Sequence, residues 1–340
     1  MLGSGETLAS SGKTHEYVAQ HGPHKPKISI LETPAGFEPN SDRVAGKIKE
    51  FLEKRLQNYK PEITVLPARK RGTPFSPDNF DIVKPILTAD EILLGPGSPS
   101  YGAKQLRLSL AHRMIQARHF LGGNLFLSSS STLAFSRFTM PVYEIYKVGE
   151  DLHWKDGTDF LGSYGLKTAV IPHWDNSDGG SELDTSRCYL GQDRFSQLLD
   201  MLPTDVTVIG IDEHTSLIVD FAESACKVLG NDTVTILRGD DQKVFQTGSE
   251  FPIDELGDWQ IPDISLMPEK EIGLVQEAIK AVQNSEQTQS PSEEITKIAE
   301  ERWVARAERN WQKADELRDI LETAGWKVLD GKDGFVLEPL

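Results

Sequence analysis

The chain has 340 residues, a formal net charge of −16 and two cysteines, Cys188 and Cys226. This length predicts one large domain with a smaller one, and the acidic balance excludes a general nucleic-acid-binding surface while leaving room for a local basic patch. Two cysteines make no disulfide framework and fit a reducing cytoplasm. With no run of 18 apolar residues and no leader with a basic start and apolar middle, the chain reads as soluble and cytoplasmic, without a membrane partner.

The opening Met1–Glu6 is too short in front to hold a full first strand, so either the strand is minimal or the natural chain starts upstream. Gly12-Lys13-Thr14 lacks the glycine and the preceding strand of a phosphate loop. Lys27–Leu31 is a strand, followed by the loop Glu32–Asn40 and a helix with Val44, Ile48, Phe51, Leu52 and Leu56 on one face. Ile63–Leu66 is the next strand, and Ile82–Leu87 suggests a helix. Glu91–Leu94 then runs into Gly95-Pro96-Gly97-Ser98-Pro99-Ser100, and residues 106–120 read as helix.

Gly122-Gly123-Asn124-Leu125-Phe126-Leu127 breaks into Ser128-Ser129-Ser130-Ser131 before a helix-compatible run from Thr132. A buried strand that delivers small residues into a helix start can present a nucleophile at the strand's C-terminal end. The plain alternative is a serine turn that caps the helix. Pro141–Gly149 and a polar stretch through His153 and Trp154 lead to the strand Leu166–Ile171, which ends in Pro172-His173-Trp174-Asp175-Asn176. A helix over 194–202 and the strand Val206–Ile209 follow, stopping at Gly210-Ile211-Asp212-Glu213-His214. Residues 217–247 read as antiparallel strands, 257–268 as irregular and 269–283 as helix. Strand–helix alternation argues for an α/β fold, a mostly parallel sheet flanked by helices, with ligands at the strand C-termini.

The composition divides the chain into an α/β domain at 1–283, a polar linker at 284–293 and a tail at 294–340. In the tail Ala307, Trp311, Ala314, Leu317 and Leu321 recur at helical spacing and Gly325 supplies a stop. Trp326–Leu329 and Phe335–Leu337 flank Asp330-Gly331-Lys332-Asp333-Gly334 as a hairpin, a small α+β unit. So small a unit is expected to pack on something else.

Serine hydrolysis needs a base for the hydroxyl proton and an acid to orient that base. A serine of the cluster, His173 and Glu213 all follow strands, in the order Ser, His, Glu. His21 with His24, and His112 with His119, lack partners at ligand spacing, so no metal and no cofactor are assigned.

Gly3-Ser4-Gly5-Glu6, Gly95-Pro96-Gly97-Ser98, the serine elbow, Pro172-His173 and Gly210-Ile211-Asp212-Glu213 together resemble the peptidase E and cyanophycinase family of serine peptidases, of the class I glutamine amidotransferase-like fold, over roughly residues 1–250. The family's Gly-x-Ser-Ala-Gly elbow, laid without a gap from Gly123, puts Ser128 and Thr132 on its glycines and Ser130 on the nucleophile. A shift by one makes Ser129 the nucleophile and sets Leu127 where a small residue is wanted, so Ser130 is preferred and Ser129 is second. Both elbow glycines are absent in either frame. The resemblance further implies oxyanion-hole amides at Gly97 and Ser131 (Ser130 if Ser129 attacks), a small-molecule or peptide substrate with acidic character, and a cation from Arg137, Lys147 or Arg187. Neither cysteine lies at the elbow, which excludes an amidotransferase-type thiol.

The tail, through Glu301-Arg302, Ala305-Arg306, Ala314-Asp315-Glu316-Leu317-Arg318, Gly325 and the hairpin, resembles the C-terminal end of cysteinyl-tRNA synthetases. A weak tRNA contact through Arg302, Arg306 and Arg309 follows from that resemblance, although Glu301 and Glu308 fit a solvated face. No His-Ile-Gly-His or Lys-Met-Ser-Lys-Ser sequence occurs, which excludes aminoacylation. The expected function is therefore a peptidase E-like serine hydrolase with a Ser-His-Glu triad. The alternative is a non-catalytic amidotransferase-like protein that binds a small molecule or tRNA, and a third reading has the tail dock on a partner protein. The oligomeric state is not legible.

Overall fold

Short runs that are apolar at nearly every position need cover on both faces, and a parallel sheet between helices provides it. The computed structural model describes residues 1–263, 265, 269–289, 291–331 and 334–339. After the helix α1 (Ala9–Gln20) come β1 (Lys27–Leu31), α2 (Ser41–Arg55), β2 (Glu62–Leu66), α3 (Phe80–Val83), β3 (Glu91–Leu94), α4 (Pro99–Leu106), α5 (Leu110–Phe120) and β4 (Asn124–Leu127). The four strands are parallel in the order β2-β1-β3-β4. Ile28, Ile30, Leu93 and Phe126 of the sheet pack against Ile48 and Leu52 of α2, so the apolar stripe of that helix faces the strands as its spacing requires.

The first strand is minimal. Leu2 lies between Ser128, in a parallel bridge, and Ser216, in an antiparallel one. Its amide donates to the Leu127 carbonyl at 2.8 Å, and the Ser129 amide donates to the Leu2 carbonyl at 3.0 Å. On the other side the Gly3 amide donates to Thr215 at 2.9 Å. Leu2 is fully buried and stitches the parallel strands to a second part of the fold.

That second part follows α6 (Ser130–Phe135) and the small pair β5 (Phe138–Thr139) and β6 (Lys155–Asp156). It contains β7 (Thr168–Ile171), α7 (Gln192–Asp200), β8 (Thr207–Ile211), β9 (Thr215–Asp220), β10 (Ala225–Gly230), β11 (Thr233–Arg238), β12 (Asp241–Gln246) and β13 (Glu250–Pro252). Strands β7 and β8 are parallel within a mixed sheet of order β12-β11-β8-β7, and β13-β10-β9 is antiparallel. The α/β reading of the sequence holds, with mixed and antiparallel sheets added to the parallel one. The helix read over 106–120 is two helices parted at Leu108, which has φ 60°.

Helix α1 carries no apolar stripe that would announce it, because its buried side is polar. Ser11, Gly12, Thr14 and His15 lie on that side with Ala19 the one apolar side chain among them, and the Arg55 side chain covers Gly12.

The chain divides into two compact units, Met1–Ala278 and Ile279–Leu340. Helix α8 (Glu269–Gln289) crosses that division, so the first part of the segment read as linker is helical. Residues 264 and 266–268 of the stretch read as irregular, 290 of the linker, and Lys332 and Asp333 of the hairpin turn lie outside the described residues.

The second unit has its own core. Helices α9 (Glu293–Ala307) and α10 (Trp311–Thr323) and the antiparallel pair β14 (Trp326–Asp330) and β15 (Phe335–Pro339) bring Ala299, Leu321 and Trp326 together with Val328 and Phe335. Ser292 and Asn310 cap the two helices through their side-chain oxygens, and Gly325, at φ 84°, ends the second. Arg302 is only 3% exposed and donates to both carboxylate oxygens of Asp330, at 2.7 and 3.1 Å. Arg306 reaches the same carboxylate at 3.2 Å. Removal of Asp330 strands a buried guanidinium, so Asp330→Ala is expected to destabilise this unit by about 3–5 kcal/mol; loss of hydrogen-exchange protection in β14 and α9 of the full chain is the measurement.

Candidate active site

At the end of β4 the backbone turns sharply. The Ser128 amide still donates to Leu94 of β3, at 3.0 Å, and the Ser129 amide to Leu2. Ser129 itself has φ 51° and ψ −117°. This is a sparsely populated region that costs about 1–3 kcal/mol and persists only where neighbours impose it. Helix α6 starts directly afterwards, with the Ser131 amide donating to Ser128 at 3.1 Å and the Thr132 amide to Ser129 at 3.0 Å. The result is a strand–turn–helix elbow with Ser129 at its apex.

The other hydroxyls of the cluster serve the turn. Ser131 Oγ donates to the Gly95 carbonyl at 2.5 Å, Thr132 Oγ1 to the Ser129 carbonyl at 2.7 Å, and Ser128 Oγ to Glu6 at 3.2 Å. Ser130 Oγ is buried without a partner among the described residues.

Ser129 Oγ lies 2.8 Å from His173 Nε2. His173 Nδ1 lies 2.7 Å from Glu213 Oε1. The serine brought to the histidine is thus the second choice of the sequence reading. The positions two before and two after it are Leu127 and Ser131. Leu127 is buried and borders a cavity of about 120 Å³ with Phe135, Val170 and Leu217.

His173 follows β7 through Pro172 and takes φ 51°. Its carbonyl accepts from the Cys188 amide at 3.0 Å. Glu213 follows β8, and its carboxylate also accepts from Asn176 Nδ2 at 3.1 Å, while its amide donates to Asp175 Oδ1 at 2.7 Å. The hydrogen bond from His173 holds the Glu213 carboxyl below its ordinary range against the opposing effect of burial, helped by Asn176. The adjacent Asp212 is committed elsewhere, accepting from the amide and hydroxyl of Thr233. Sequence reasoning missed Asp175 and Asn176 as supports of the acid, although both stand in the strand-end run after His173.

At Gly97 φ is 156°, and a Cβ there would sit 2.0 Å from the Pro34 carbonyl oxygen. The loop after β3 therefore passes too close to the preceding loop for any side chain. Ser98 caps α4, accepting from the Tyr101 amide at 3.2 Å. The Ser131 amide is spent on Ser128, so the amide next to the Ser129 hydroxyl is that of Ser130. The sequence reading named this amide for the frame in which Ser129 is the nucleophile.

Of the candidate cations, Arg137 pairs with Asp159 at 2.7 Å, and Arg187 lies over the Trp174 ring and donates to its carbonyl. Lys147 borders a cleft with Ser98 and stands over the Tyr143 ring at 4.9 Å. Cys188 and Cys226 are buried, and burial raises both thiols, that of Cys226 to about 12. Of the histidines considered for metal, His119 bonds the Tyr164 hydroxyl and His21 the Tyr17 carbonyl.

No family model matches this sequence. Among solved structures, the crystal structure of a peptidase from an acI-B1 actinobacterium aligns with a TM-score of 0.59 at 24% identity, covering 74% of this chain and 94% of that one. A candidate peptidase E from Listeria monocytogenes gives 0.40 at 12% identity, covering 73% and 96%. A segment of 46 residues is 48% identical to the cysteine–tRNA ligase of Opitutus terrae; it is 14% of this chain, which spans only 10% of that ligase. Among the described residues no helix is long and apolar enough to cross a membrane. Over about three quarters of its length, the chain has the fold of the actinobacterial peptidase.

Proposed function

We propose that the chain is a serine hydrolase of amide or peptide bonds, with Ser129 as nucleophile, His173 as base and acid, and Glu213 as the group that orients His173. The observation that carries the reading is the unbroken pair of hydrogen bonds from Ser129 to His173 to Glu213, at 2.8 and 2.7 Å. Glu213 would fix the tautomer with Nδ1 protonated, leaving Nε2 to accept the serine proton. The Ser129 oxygen would then add to the substrate carbonyl, and the amides of Ser130 and Gly97 would stabilise the oxyanion. Return of the proton from His173 to the amine would release it as the C–N bond breaks. Water, deprotonated by the same histidine, would cleave the acyl-enzyme and restore Ser129. The actinobacterial structural neighbour is a peptidase, which favours a peptide bond as the target.

The missing elbow glycines do not argue against this reading, since Ser129 holds the turn's φ of 51° without them and the Ser131 hydroxyl is taken up by a hydrogen bond. For tRNA binding the second unit is poorly suited. Residues 279–340 hold nine basic and thirteen acidic side chains, and Arg302 and Arg306 are already paired with Asp330.

A small fluorophosphonate is expected to label wild type and Ser130→Ala at Ser129, and to leave Ser129→Ala and His173→Ala unlabelled; peptide mapping identifies the site. Labelling at Ser130, or none in folded wild type, would overturn the assignment. Glu213→Gln is expected to slow turnover by roughly 10³–10⁴-fold, as loss of the orienting carboxylate does in triads. Because Glu213 is shifted downward, its contribution to stability is in place above the ordinary carboxylate value and is lost as pH falls through the shifted one. The thermal-midpoint difference between wild type and Glu213→Gln should therefore be present at neutral pH and shrink in acid, as a pH series of melting curves would record.

A further inference from the structure

Protein interiors leave few voids larger than a water molecule. Here Leu127 and Thr132, which flank the four serines, border a cavity of about 120 Å³ that is partly open. The proposed reaction has no use for it. Its walls bring the rings of Phe126, Phe135, Phe160 and Phe221 together with Val170 and Leu217. His119 and Phe221 also border a groove of about 480 Å³ beside Tyr164, so the two spaces share a wall. An apolar cavity of about 150 Å³ takes up benzene. The volume here therefore suits a single ring, which packs edge-on or offset against phenylalanines.

The polar groups on the walls are committed to partners, with one exception. Thr14 Oγ1 donates to Ser216 Oγ at 2.9 Å, Thr132 Oγ1 to the Ser129 carbonyl at 2.7 Å and Ser136 Oγ to the Thr132 carbonyl at 2.9 Å. Glu91 is paired with His15 at 3.2 Å, Asn124 donates to the Asp90 carbonyl at 3.2 Å, and His119 bonds the Tyr164 hydroxyl. Thr168 is the exception: it is 1% exposed, and its Oγ1 is buried without a partner among the described residues. Buried hydroxyls are normally hydrogen-bonded, so an orphan on a cavity wall points to a ligand group that meets it. Burial lowers His119 to about 4, which leaves its ring neutral at neutral pH, and Glu91 already has His15. A charged ligand gains no ion pair from these walls.

We infer that this cavity is a binding site for a small neutral aromatic molecule with one hydroxyl, of the phenol class, its ring among the phenylalanines and its hydroxyl on Thr168 Oγ1. Such a ligand replaces the missing partner of Thr168 and fills the apolar volume at once. The site does not depend on the hydrolase reading.

The test is calorimetric titration of the full chain with phenol and with benzene, with melting curves to show that each variant is folded. Wild type is expected to bind phenol saturably, one molecule per chain. Thr168→Val keeps the shape of the wall and removes the hydroxyl. It is expected to weaken phenol by about tenfold or more, since the ligand hydroxyl is then buried without a partner, and to leave benzene binding in place. Val170→Phe, which sets a ring into the space, is expected to bind neither. No saturable binding of phenol by wild type, a phenol affinity unmoved in Thr168→Val, or phenol binding retained by folded Val170→Phe overturns the inference. None of these readouts uses Ser129 labelling, so the hydrolase reading stands or falls separately.

Discussion

The backbone of Ser129 is the constraint on which the rest of the site depends. A residue with φ 51° and ψ −117° relaxes unless its neighbours hold it. Here the Ser129 amide is bound by Leu2, the Ser128 amide by Leu94 and the Ser131 amide by Ser128, and the Thr132 hydroxyl returns to the Ser129 carbonyl. Each bond is ordinary, worth about 1 kcal/mol net. Their sum offsets the strain, and the exposed product is one hydroxyl aimed at His173.

The same logic extends outward. His173 also has a left-handed backbone, fixed on one side by Pro172 and on the other by the amide of Cys188. Arg187, Cys188 and Tyr189 all have positive φ in succession, a conformation that L-residues avoid. They bring the Tyr189 ring beside His173. Glu213 is gripped through its amide by Asp175 and through its carboxylate by Asn176, so His173 and Glu213 are positioned by the same post-strand loop. Strain is thus concentrated around the Ser129–His173 contact, and paired or buried atoms surround it.

Much of this was legible in the sequence because strand ends in an α/β fold are where chemistry collects. Lys27–Leu31 and Glu91–Leu94 form strands with the bounds their apolar runs suggest, and His173 and Glu213 fall at the ends of the strands that periodicity located. Which serine stands within hydrogen-bond distance of His173 was not legible, since four consecutive serines fit the turn in more than one frame. The polar helix α1 escaped for a related reason: it is buried through Ser11, Thr14 and His15, and His15 finds its partner in Glu91 from a distant strand. Asp175 and Asn176 were visible as residues, but their service to Glu213 depends on the parallel pairing of β7 with β8.

The position of Leu2 also governs how the molecule comes together. Its two partners, Ser128 and Ser216, are far along the chain and far from each other in sequence. Pairings of such high sequence separation pay their loop-closure entropy before any contact rewards it, and they form slowly. The Ser129 amide, which donates to the Leu2 carbonyl, is thus tied to a residue whose own bridges reach two distant parts of the chain.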